Sequence, residues 1–484
     1  MNRLAGLEPA QVFTYFEEIS RIPHGSGDTE RISSYVESVL KANHLRYVRD
    51  EANNIIAWKD AAAGYENAPV VMLQGHLDMV NEKTTQSTHD FSRDPLELFV
   101  DGDEIGAKDT TLGGDDGIAV AYMLAILTDP SLAHPALECV FTVDEEIGLL
   151  GANVLDLSSC QAKYLINLDS EDEGIFLCGC AGGIREDLML PIRKEEMEAD
   201  FWKITIDNCH GGHSGMDIGK GRCNALLMAG RLLFDLEESG ISYRLAVCEG
   251  GQKDNAIPRS SMLIVATEKD SEDSTLIADN VRYLFDGYKK EYLVSDPDMT
   301  VTVEETDAVP VMDLVSQIKV LFLLRMLPAG VQAMSQNIPG LVETSLNTGI
   351  MKTNEDCFTV SQSIRSNVNA RKYELVNKLA FLVEYLGGEA GTRGDYPGWE
   401  FNPDSTLRVL MAETWKEMTG KDAAIEAIHA GLECGIISEK MPGIDIVSMG
   451  PDMKDIHTPT ERLGISSTRR CYEFLLEVLK RIQN

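Results

Sequence analysis

Four short apolar runs, each leading into a residue able to hold a metal or move a proton, constrain this chain more than any other feature. Residues 70–73 lead to His76 and Asp78, residues 137–143 to Asp144-Glu145-Glu146, and residues 164–168 to Asp169. Residues 444–449 lead, after a short loop, to His457. Each run has the length of a strand and is bounded by Gly, Pro or acidic residues. Helical patterns alternate with them. Ile32, Tyr35, Val36, Val39 and Leu40 share one helical face, with Asp28 as the expected N-cap. Residues 117–127 read as a buried helix, and Cys471, Phe474, Leu475, Val478, Leu479 and Ile482 form a last stripe. Such alternation predicts an α/β domain whose largely parallel central sheet is flanked by helices. Ligands bind such sheets at the carboxyl ends of the strands. One His or Asp after a strand is an ordinary turn residue; four such endings together read as a site.

The middle of the chain differs. Strand-like stretches at 202–206, 262–266 and 300–303 mix with long helical ones at 225–238 and 274–288, which suits an inserted α+β domain. Gly-rich punctuation lies near both joins, at 178–183 and 387–398. The expected division is 1–183, an insertion over 184–395, and a return to the first domain over 396–484.

The formal net charge is −35. A chain this acidic repels phosphate backbones and anionic lipid, so neither a nucleic-acid nor a membrane-surface role is expected. No apolar run approaches the ~20 residues of a membrane helix, and the first residues carry no signal-peptide pattern. The ten cysteines lack framework spacing and read as reduced thiols, consistent with a cytoplasmic protein. The Cys178–Cys180 pair reads as buried packing.

The motifs divide the chemistry among residue types. His76 and Asp78 lie two apart, on one side of an extended segment; a metal-bound imidazole commonly gives its other N–H to such a carboxylate. The Thr111-Leu112-Gly113-Gly114-Asp115-Asp116-Gly117 loop presents a carboxylate from a tight turn, although a plain Asp cap has the same look. The adjacent Glu145 and Glu146 point apart in an extended chain, so one suits a metal and the other a substrate. His210 and His213 have H-x-x-H spacing, and their Gly-rich loop also suits an imidazole that stabilises an oxyanion.

In their order along the chain these motifs resemble the di-zinc metallopeptidases, the family of carnosinase, tripeptidase T and aminoacylase. Ser345-Leu346-Asn347-Thr348-Gly349, the segment from His429 through Glu433 to Gly435, and Gly450-Pro451 before His457 are similar to its bacterial aminoacyl-histidine dipeptidase branch. The resemblance covers essentially the whole chain. It implies a catalytic domain interrupted by a lid and dimerisation domain, a homodimer formed through that lid, and a small-peptide substrate. It also implies two divalent ions per subunit, zinc above all, with manganese or cobalt as substitutes. His76 and Asp169 would bind one ion, and Glu146 and His457 the other. Asp115, which directly follows Gly-Gly as in the family pattern, would bridge them in preference to Asp116. Asp78 would orient His76, and Glu145 would be the general base for an activated water. His213 would contact the substrate carbonyl. Asn347, Arg365 and Glu433 would bind substrate, Arg365 gripping its free carboxylate. The activity implied is hydrolysis of dipeptides, in particular Xaa-His dipeptides such as β-alanyl-His. A tripeptidase, an N-acyl-amino-acid hydrolase and a non-catalytic relative are the alternatives.

Overall fold

The computed structural model describes residues 3–483, and the chain divides into two compact units. The first comprises the chain up to Cys180, Trp399–Ala427, and the chain from Leu432 onward; the second comprises Ala181–Gly398 and the short Ile428–Gly431 segment.

In the first unit β1 (Arg46–Arg49), β2 (Ile55–Lys59), β3 (Val71–His76), β4 (Leu137–Thr142), β5 (Tyr164–Asn167), β6 (Ile175–Cys180), β7 (Ala424–Ile428) and β8 (Asp445–Ser448) share one sheet. Its order is β1-β2-β4-β3-β5-β8-β6-β7. The four central strands β4, β3, β5 and β8 are parallel. β2 flanks them antiparallel on one side, with β1 antiparallel to β2 at the edge, and β6 flanks them antiparallel on the other. β3 and β4 are buried along their whole length, as strands covered on both faces must be.

α1 (Gly114–Thr128) runs through the core and is buried from Gly114 to Leu127. Its apolar residues lie all round the helix, which is the pattern of a core helix rather than a surface one. Gly75 at the end of β3 permits the close approach of α1: a Cβ there would lie 2.5 Å from Asp116 Oδ2 and 2.7 Å from the Ala119 Cβ. The sheet ends and α1 are thereby brought together where the site lies. The helix carrying Ile32 and Val36 starts at Glu30, and its cap position is Thr29, not Asp28. Asp28 instead pairs with Arg31 three residues on.

A small antiparallel sheet joins Leu98–Asp101 and Glu104–Ala107 to Arg462–Gly464, which pairs in turn with Met453–Lys454. The loop bearing His457 is therefore anchored at both ends.

The second unit is built on a nine-stranded sheet in which every described pairing is antiparallel. Its longest strands are Val342–Thr353, Cys357–Ser366 and Gly182–Pro191. Helices Ala225–Glu238, Glu272–Glu291, Leu314–Met326 and Asn369–Tyr385 contribute to one core with this sheet. Alternation along the strands explains it: Ile184 and Leu188, or Val360 and Ile364, face the helices. Among the described residues no helix is long and apolar enough to cross a membrane, and all ten cysteines are free.

Candidate metal centre and active site

The strand endings converge. His76 closes β3, Glu145 and Glu146 follow β4, and Asp169 follows β5. Asp115 stands in the first turn of α1, with backbone angles outside the helical range. His76 is 1% exposed, and its Nε2 lies 3.0 Å from Asp115 Oδ1 and 3.7 Å from Asp169 Oδ1. His457 Nε2 lies 3.0 Å from Asp115 Oδ2 and 2.9 Å from Glu146 Oε1. The two oxygens of Asp115 are thus divided between two imidazoles, each of which has a further carboxylate beside it. Glu146 Oε1 meets His457 at ion-pair distance but without hydrogen-bond alignment, as expected of two donor atoms converging on a third point. His457 and Asp144 both have positive φ, 60° and 55°, an unfavourable backbone that functional loops often retain.

Asp116 does something different. Its Oδ2 accepts the His76 backbone N–H at 3.1 Å, and its Oδ1 has no partner. It still lies close enough to His76 and Asp169 to complete a second three-ligand grouping, as do His76, Glu145 and Glu146. Among the described residues, Asp115 is the carboxylate hydrogen-bonded to both imidazoles, while Glu146 also groups with each of them.

Asp78 supports the acidic loop as much as it supports His76. Its carboxylate accepts from Ser26 Oγ at 2.7 Å and from the Glu145 and Glu146 backbone N–H groups at 3.1 and 3.4 Å. His76 Nδ1 is 3.5 Å from that carboxylate but 2.9 Å from the Asp78 carbonyl oxygen, so the main chain holds the ring. Glu433 is fully buried; its Oε2 accepts from Gln74 at 2.5 Å and Thr142 at 2.6 Å, while Oε1 has no partner. It braces the ends of β3 and β4.

The electrostatics are those of surplus negative charge. Burial raises Glu145 and Asp116 well above the usual carboxylate range, and neighbouring carboxylates add to it. Burial likewise pushes Asp169 to about 6 and Glu171 and Glu433 to about 7. The hydrogen bond to Asp115 and the adjacent Glu146 carboxylate lift His457 to about 10. Burial acts to lower His76, but Asp115, Asp169 and Asp78 outweigh it and raise it. Despite burial, Asp115 and Asp78 are instead held below the usual carboxylate range by the imidazoles beside them, so the proton is shared unevenly across the cluster. The mixed imidazole and carboxylate donor set fits divalent transition metals, zinc included.

The remaining expected residues belong to the second unit. His213 Nδ1 accepts from the Gly215 and Met216 N–H groups at 3.2 and 3.1 Å, which leaves its proton on Nε2. Burial, then Arg365, lowers its pKa, so the ring is neutral at pH 7. Arg365 is 7% exposed; its one described hydrogen bond runs to Tyr396 Oη at 3.1 Å, and its Nε has no partner. No carboxylate pairs with it among the described residues. His429 is buried in the same unit with Nε2 2.7 Å from Ser345 Oγ, and burial pushes it down to about 3. Asn347 spends its amide N–H groups on the Ala256 and Asp254 carbonyls, at 2.8 and 3.2 Å. His210 is exposed.

Sequence reasoning missed Ser26, Glu171 and Glu461. Only Glu461 had a visible signal, a carboxylate four residues after His457.

A sequence model described as peptidase family M20/M25/M40 matches residues 72–481. The cytosol non-specific dipeptidase of Escherichia coli (strain K12) is 35% identical over 486 residues, which span 100% of this chain and 99% of that protein. The crystal structure of aminoacylhistidine dipeptidase from Vibrio alginolyticus superposes with a TM-score of 0.93 at 34% identity, covering 99% of this chain and 98% of the other. Aminopeptidase PepT from Bacillus cereus shares the fold at 14% identity, with a TM-score of 0.57 over 98% of this chain and 99% of its own.

Proposed function

The chain belongs to peptidase family M20/M25/M40 and is a peptidase, and from that premise we propose that it is a metal-dependent dipeptidase holding two divalent ions, most suitably zinc. One observation carries the reading: Asp115 gives one oxygen to the His76 side of the cluster and the other to the His457 side. In this reading His76 and Asp169 hold one ion, Glu146 and His457 the other, and Asp115 both. Bound there, the ions would supply Lewis acidity and acidify a water. Glu145, beside Glu146 and kept basic by burial, takes the proton from the attacking water and returns it to the leaving amine. His213 offers Nε2–H to the carbonyl oxygen as charge develops on it. Arg365, a buried guanidinium without a counter-charge, receives the free carboxylate of the dipeptide. A dipeptidase needs a contact of this kind, because metal chemistry alone sets no limit on peptide length.

The relatives' names differ in breadth, one non-specific and one aminoacylhistidine. We take Xaa-His dipeptides such as β-alanyl-His as the favoured class. A cytoplasmic location and a homodimer formed through the inserted region are parts of the same proposal. The deciding experiment is hydrolysis of a panel containing β-alanyl-His, other dipeptides, a tripeptide and an N-acetyl amino acid, each with and without Zn²⁺ or Mn²⁺. Metal-dependent cleavage of dipeptides, fastest with C-terminal His, is expected. Equal cleavage of the tripeptide or the N-acetyl amino acid would replace the dipeptidase reading.

A further inference from the structure

Asp115 hangs from a turn whose backbone donors have no helical acceptors. Gly113, at the cap position of α1, is in the left-handed region with φ 67° and supplies no side-chain cap. The first N–H groups of a helix are left unsatisfied unless something else accepts them. Here one side chain does so. Glu461 Oε2 accepts from Leu112 at 2.6 Å and Gly113 at 3.1 Å; Oε1 accepts from Gly114 at 2.8 Å and Asp115 at 3.4 Å. Glu461 is 3% exposed.

Its position in the chain gives the arrangement its meaning. Glu461 ends the loop that carries His457, immediately before the strand Arg462–Gly464 that anchors that loop to Glu104–Ala107. It therefore ties the segment carrying one imidazole to the turn carrying the carboxylate between the two. Each of its oxygens is engaged by two backbone N–H groups, so it is not itself a ligand.

We infer that Glu461 is a positioning residue: it fixes the turn at Leu112–Asp115 against the His457 loop, so that Asp115 points one oxygen to each side of the metal centre before metal arrives. This rests on the metal-centre reading above. Glutamine at 461 would present one carbonyl oxygen and one NH₂, setting a donor against backbone donors. The turn would lose at least part of its anchor while size and shape stayed nearly unchanged.

The test uses the whole chain, stripped of metal and titrated with Zn²⁺ against a chromophoric chelator, as wild type and as Glu461→Gln. Glu461→Gln is expected to weaken metal affinity by about 10–100-fold, the usual effect of losing a partner that orients ligands. Circular dichroism should show the metal-free variant still folded, and the visible spectrum of the Co²⁺-loaded variant should differ from wild type. A measurement on wild type covers the case in which the variant does not fold. Hydrogen exchange in the peptide spanning residues 110–117 should be slow without metal, because the anchor does not need metal. Wild-type affinity and an unchanged Co²⁺ spectrum in Glu461→Gln, or rapid exchange of that peptide in metal-free wild type, would overturn the inference. A wild-type protein that binds no metal would overturn the metal-centre reading instead.

Discussion

In the first unit, Asp115, Glu146 and Asp169 crowd His76 and His457 at the strand ends. In the second, Arg365 is buried with a phenol for company and, among the described residues, no carboxylate. The two places are opposite in sign and similar in construction. Each holds buried charge that the groups beside it balance incompletely. Their supports differ. The acidic cluster is braced by main-chain bonds at Asp78 and Asp116, with Glu433 bracing the adjoining strand ends. Arg365 has only Tyr396 and its place in the strand Cys357–Ser366. A centre that must hold several ligand atoms at once needs a rigid frame, whereas a guanidinium receiving one carboxylate brings its own planar geometry. Such incompleteness points to a cation in one case and an anion in the other.

Metal removal breaks the first half of that comparison most severely. Chelation should abolish hydrolysis, and Zn²⁺ or Mn²⁺ should restore it; full turnover in protein shown metal-free by elemental analysis would leave the acidic cluster without its cation. Glu145→Gln comes next. It should lower kcat by about 10²–10⁴-fold while two equivalents of metal stay bound. Turnover near wild type with both metals present would remove Glu145 from proton transfer.

These residues were legible in sequence because strand-end chemistry leaves a period-independent mark: an apolar run, then His, Asp or Glu. The runs at 70–73 and 137–143 correspond to β3 and β4, and residues 225–238 are the helix Ala225–Glu238. Less legible were the long strands Gly182–Pro191 and Val342–Thr353. They carry Glu186, Thr344, Ser345, Asn347 and Thr348 on or near buried faces, where alternation would call for apolar residues. The cap falls at Thr29, one residue past Asp28, because a cap residue marks where a helix begins only to within a residue or two. Glu461 was invisible as a support because its partners lie 346 to 349 residues earlier in the chain.

Arg365→Lys sharpens the second half of the comparison, with a smaller effect. Lysine keeps the charge but not the two-pronged geometry. The ratio of kcat/KM for a free-acid dipeptide to that for its C-terminal amide should fall by about ten- to a hundredfold. Metal content and melting temperature should hardly move. An unchanged acid-to-amide ratio would mean that the substrate carboxylate is held elsewhere.

Glu186 separates burial from site chemistry, and the effect expected there is the smallest. It is a fully buried carboxyl of the second unit, and among the described residues neither of its oxygens has a hydrogen-bond partner. Opposite it in register is Gln362, whose Nε2 donates to Thr348 Oγ1 at 2.9 Å and whose Oε1 is also unpartnered. Unlike the carboxylates of the first unit, it has no imidazole beside it. Burial, and secondarily Asp187, pushes it from an ordinary 4.5 to about 8. What completes this group is a proton, which supplies the donor that the facing acceptors lack. The sign follows from the direction of the shift. The folded state holds the proton more tightly than the unfolded state, so this stabilisation is full below about pH 4.5 and declines as pH rises towards about 8. Glu186→Gln removes the ionisation and keeps a donor. It should leave the melting temperature at about pH 5 almost unchanged and raise it at about pH 9, where wild type has lost the stabilisation that the bound proton gives. Melting curves of wild type and variant that stay parallel across that range would show that Glu186 ionises freely in the fold. Burial alone would then not account for the raised carboxyls of the metal centre, and the comparison between the two units would rest on Arg365.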